Sequence, residues 1–95
     1  MYVVLLKFAE NRAAAGQHMD GHNAWIRQGF EDGIFLMVGS LKPGLGGAVL
    51  ARGEDRAALE ARVAADPFVA EGIVSAEIHE IAPARTDDRL QALLA

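Results

Sequence analysis

Four short apolar runs, separated twice by longer stretches of helical spacing, constrain this chain more than any other feature. Val3-Val4-Leu5-Leu6, flanked by Tyr2 and Phe8, is apolar and β-branched and predicts a first strand. From about Arg12 to Glu31 the period changes. Met19, Asn23, Ile26 and Phe30 recur at three- and four-residue spacing and predict a helix whose apolar stripe they form, with Gly33 closing it at C′. Gly21 and Gly29 each weaken such a helix by up to about 1 kcal/mol relative to Ala, so packing must hold it. Ile34 to Ser40 reads as strand two, "LKPGLGG" (41–47) as a Pro/Gly loop, and Ala48 to Arg52 as strand three. Asp55 or Glu54 caps a second helix through Ala65, with Leu59 and Val63 on its apolar stripe. Asp66 then caps a short turn with Pro67 at N1. Gly72 leads into strand four, Ile73 to Ile81, and the tail after Pro83 predicts a short terminal helix.

The order β-α-β-β-α-β predicts an α+β, ferredoxin-like fold, one antiparallel sheet carrying two helices on one face. A sheet with one wet face alternates apolar and polar residues. Strand one instead has Val3 and Leu5 on one side and Val4, Leu6 and Phe8 on the other. Strand two places Phe35 and Met37 opposite Ile34, Leu36 and Val38. The expectation is a homodimer in which a second copy covers the open sheet face. At 95 residues the chain predicts a single domain, with a core over 1–83 and a tail over 84–95. An apolar content of 52% agrees with extra buried surface.

The bulk chemistry excludes several classes. Net charge is −4, with nine scattered Lys and Arg, so no nucleic-acid footprint exists. No cysteine is present, which removes disulfides, thiolate metal sites and a Cys nucleophile. "MYVVLL" is too short for a signal h-region or membrane span, and the expected location is cytoplasmic, with no membrane partner.

Two of the three histidines fall in "HMDGHNAW", residues 18–25. On a helical wheel His22 lies about 40° from Ile26 and about 60° from Met19, at the edge of the stripe facing the sheet. Histidine is the side chain that ordinarily titrates near neutrality, which suits a general acid or base. The bland alternative is a boundary histidine making one hydrogen bond. His18 and His22 have i, i+4 spacing, so both rings can face one metal, but two ligands do not retain an ion and no HExxH motif is present. No metal and no cofactor is expected.

Asp66 is the natural partner for His22, because the end of the second helix approaches the first. Its carboxylate would fix the imidazole tautomer, while the competing role is simple capping. Both can hold if one oxygen caps and the other meets the ring. Ser40 supplies a hydroxyl at the same edge, which makes a Ser-His-Asp set formally available, yet "VGSLKPG" is no nucleophile elbow. Trp25, three residues after His22, is a pocket wall or an interface anchor. Gly44, Gly46 and Gly47 precede a strand, not a helix, so they suit close backbone approach to a ligand or a bend in the hairpin better than a phosphate cradle.

"MYVVLLKF", "HMDGHNAWIRQGFEDGIFLMVGSLKPGLGGAVLA" and "AADPFVAEGIVSAEIHEIAP" together resemble the YCII-related (YciI-like) family over nearly the whole chain to Pro83. The resemblance implies a dimeric α+β barrel, related in architecture to muconolactone isomerase. It also implies a His–Asp active site at His22 and Asp66, with Ser40 near the pocket. Family members often carry Arg three residues before the His, where this chain has Met19. That departure implies a different ligand, or His18 in the Arg's place as a substrate-binding group.

The expected function is thus a cofactor-independent enzyme on a small, aromatic or enol-like molecule. His22 moves a proton and Asp66 orients it, in elimination, isomerisation or hydrolysis, with Ser40, Trp25 and His18 contacting the substrate. The alternative is a non-catalytic small-molecule-binding or accessory homodimer.

Overall fold

The computed structural model describes residues 1–94 and contains the expected elements in the expected order. Strand β1 is Tyr2–Phe8, and a 3₁₀ turn at Arg12–Ala14 leads into helix α1, Ala15–Glu31. Strands β2 (Phe35–Leu41) and β3 (Gly46–Ala51) form a hairpin. Helix α2 (Arg56–Ala64), the short helix α3 (Pro67–Ala70), strand β4 (Val74–Glu80) and the tail helix α4 (Asp88–Leu94) follow. All strand pairs are antiparallel in the order β2-β3-β1-β4, the ferredoxin-like arrangement. No helix among the described residues is long and apolar enough to cross a membrane.

Parity along the strands decides what reaches the core. Tyr2, Val4 and Leu6 of β1 and Val49 and Ala51 of β3 are buried beneath the helices. Leu59 and Val63 of α2 and Phe68 of α3 close over them. Leu59, Ile73, Val4 and Val49 are fully buried, and each contributes about 1.5–3 kcal/mol by leaving water. The opposite sheet face carries half-buried Val3, Leu5 and Leu50 and exposed Met37, with Lys7, Glu77 and His79 towards β4.

Two expectations need correction. In strand two, Phe35 and Met37 do not share a face. A bulge between them pairs Phe35 with Ala51 but Met37 with Leu50, so Leu36 is the extra residue and Val38 joins Phe35 over the core. On α1 the inward stripe is not Met19, Asn23, Ile26 and Phe30. Met19 and Phe30 are exposed, as is Asn23, and the packed face runs through His18, His22, Trp25 and Gly29, with Ile26 at its edge. The reason is close approach: a methyl at Gly29 would overlap the Phe35 ring. A glycine there lets α1 sit low on the sheet and turns the helix by about one residue. The helix ends as predicted, with Gly33 at φ 74° and bonds from Gly33 N to Phe30 O and Ile34 N to Gly29 O, both 3.0 Å.

Candidate active site

The site is built where α1 passes α3. Asp66 is extended (φ −61°, ψ 124°), and its Oδ1 accepts the Phe68 N–H at 3.0 Å, capping the helix that Pro67 opens. The same oxygen lies 2.8 Å from Nδ1 of His22. One oxygen therefore does both tasks, rather than one each as expected. Oδ2 is buried and has no hydrogen-bond partner among the described residues. The cap fixes the carboxylate so that Oδ1 alone faces α1.

Asp66 is wholly buried, while the His22 side chain is 15% exposed. A carboxylate can only accept, so with Asp66 ionised the Nδ1 hydrogen lies between the pair, and a neutral ring then has its lone pair on Nε2. The imidazole lies flat on Phe68, centroids 3.9 Å apart and planes 1° apart, with Trp25 stacked at 5.9 Å. Ring orientation is thus set by one hydrogen bond and two aromatic faces. The helix approach itself depends on Gly21, where an added Cβ would lie 3.1 Å from Pro67 Cγ.

A second set of contacts holds Trp25. Its indole N–H donates to Arg62 O at 2.8 Å, and its ring meets Phe35 edge-on at 5.0 Å. The Arg62 guanidinium makes two bonds to Glu54, of 3.0 and 2.7 Å, and one of 2.9 Å to Asp32. These bonds raise the Arg62 pKa, Glu54 most of all. Arg62, and then Gln28, hold the Asp32 carboxyl below its ordinary range. The end of α1, the loop before α2 and α2 itself are tied together beside the indole.

His22, Trp25, Ser40 and Phe68 border one cavity of about 290 Å³ between α1, the β2–β3 hairpin and the sheet. Its walls are mainly apolar, and Asn23 joins His22 and Ser40 as the polar groups. Gly46 and Gly47 form part of the lining, but the backbone they admit is the protein's own: a side chain at Gly46 would strike Leu6 O. No hydrogen bond joins Ser40 to His22, so the structure contains a His–Asp pair and not a connected triad. His18 is half-buried one turn before His22 and outside the cavity lining. Among the described residues no group of three or more His, Cys, Asp or Glu is placed to hold a metal ion. The sequence reading missed Phe68, Arg62 and Gly21 as supports. Only Gly21 had left a trace, as a glycine that helix propensity disfavours.

A model of the YCII-related domain matches residues 1–82. The chain belongs to the YCII-related family. The match takes in β1 to β4 and stops before α4. No curated protein matches this YCII-related chain.

Proposed function

We propose that this YCII-related protein is an acid–base enzyme acting on a small, aromatic or enol-like molecule. The carrying observation is the 2.8 Å His22–Asp66 contact at the edge of a mainly apolar cavity. Nε2 of His22 takes a proton from a ligand O–H or C–H. Asp66 keeps the ring in the Nδ1–H tautomer and balances the imidazolium that forms. The proton returns to a different atom in an isomerisation, or to a leaving group in an elimination, and neither step requires a cofactor. Product analysis over a panel of small phenols, enols and ketones tests this reading. His22→Ala should lower turnover by about 10²–10⁴-fold, a typical range for a lost proton-transfer group. Wild-type rates in both His22→Ala and Asp66→Asn would remove the mechanism.

A second reading, a non-catalytic binding protein, draws on the missing Ser40–His22 hydrogen bond and on there being, among the described residues, no second titratable side chain on the cavity wall. Saturable binding without product from any panel member would favour it. We also infer a homodimer through the open sheet face, supported by Met37, 50% exposed, beside half-buried Val3, Leu5 and Leu50. A monomeric mass in light scattering across the micromolar range would contradict it.

A further inference from the structure

The cavity's charge inventory goes further than the reaction class. Among the described residues no Lys, Arg, Asp or Glu side chain lines it, and its polar side chains are His22, Asn23 and Ser40. The neighbouring guanidinium of Arg12 is stacked over Phe8, 4.0 Å from the ring centroid, and is not part of the lining. Asp66 stands behind His22 as a buried carboxylate whose Oδ2 meets no donor. The lining therefore offers a ligand no permanently charged side chain. An anionic ligand would lose its water and gain no countercharge. A cationic ligand would lose its water too, with Asp66 out of its reach.

Size narrows the class further. At about 290 Å³ the cavity is roughly twice the ~150 Å³ that encloses benzene and sits at the lower edge of ordinary ligand pockets. Trp25, Phe8 and Phe68 offer it aromatic surface.

We propose that the cavity takes an uncharged, single-ring ligand through a hydroxyl or carbonyl oxygen recognised by Asn23 and Ser40, and excludes carboxylates and ammonium compounds of the same size. This rests on the reading of the cavity as the reaction site, but not on turnover. Phenol, benzoate and benzylamine at pH 7 present one ring as neutral, anionic and cationic probes. Binding is followed through the indole N–H resonance of Trp25, the single tryptophan, and by calorimetry. Phenol should bind at least about tenfold tighter than either charged probe, and Asn23→Lys, which adds a cation at an exposed lining position, should reverse the phenol-over-benzoate order. Benzoate or benzylamine equalling phenol on the wild type overturns the proposal, as does a Trp25 resonance that phenol does not move. Benzoate binding that disappears in Arg12→Gln would also overturn it, by making Arg12 an anion anchor. A selective but inactive protein would defeat the acid–base reading alone, whereas His22-dependent turnover of a carboxylate would defeat this one alone.

Discussion

Asp55 and Asp66 do the same local job in different surroundings. Each is an extended residue opening a helix, and each accepts a backbone N–H through Oδ1, Ala58 at 2.8 Å and Phe68 at 3.0 Å. Asp55 is exposed, and its carboxylate caps α2. Asp66 is wholly buried, and the oxygen that caps also holds His22. A cap motif is thus a general device, and burial against a second helix turns it into an orienting group. The second oxygen of Asp66, without a donor among the described residues, carries the cost of an unmet buried acceptor.

Exchanging the two caps should break them apart most visibly. Asp66→Asn keeps an oxygen for the Phe68 N–H but removes the charge, and activity should fall by about 10²–10⁴-fold. Asp55→Ala should cost about 1 kcal/mol of stability and leave kcat unchanged. Equal kinetic effects from both would erase the distinction. Thermal or denaturant melts alongside initial rates supply both quantities.

The approach of α1 to α3 separates the caps as well, and Gly21 controls it. Gly21→Val presses on Pro67, and overpacking there should cost about 1–3 kcal/mol. It should also weaken turnover by displacing His22 from Asp66. A variant that melts lower yet turns over normally would show that helix spacing does not set the pair. Phe68→Leu removes the ring beneath the imidazole, and the lost stacking is worth about 0.5–1.5 kcal/mol. Its signature is a loss in kcat at a melting temperature where Asp55→Ala keeps the wild-type kcat.

The smallest effect lies at the Arg62 cluster. Asp32 has a lowered pKa in the folded state, so between its folded and unfolded values the unfolded chain binds more protons. Its contribution is present in full above the unfolded value of about 3.9, and is lost as pH falls through the folded value. Asp32→Asn should lower stability slightly at neutral pH, leave it almost unchanged below the folded value, and so flatten the acid side of the melting-temperature profile. An unchanged acid limb would mean that the Arg62 contact adds no pH-dependent stability.

Local spacing and helix ends were enough to reveal the element order and the Asp66 cap, whereas the His22–Asp66 contact, 44 residues apart in sequence, followed from the side-by-side helices of the expected fold and from the family resemblance. Leu36 shows where local spacing runs out. Nothing in "IFLMVGS" marks a bulge, which arises from how β2 meets β3, and one extra residue reverses the faces beyond it. The α1 stripe failed for a related reason. Apolar spacing weights Met19 and Phe30, whereas the real contact is made by Gly29, where only the absence of a side chain lets Phe35 in. Arg62 and Glu54 pair across eight residues at the junction into α2, a separation with no helical signature.

Asp66 is expected to hold His22 in one tautomer with Nε2 as the proton acceptor. Imidazole nitrogen shifts measured by long-range ¹H–¹⁵N correlation test it directly, at a pH where the ring is neutral, and only His18 and His79 share the spectrum. His22 should show a protonated-type Nδ1 and a bare Nε2, collapsing towards an averaged pattern in Asp66→Ala. A hydrogen on Nε2 in the wild-type protein, or a His22 pattern indifferent to that substitution, would contradict it.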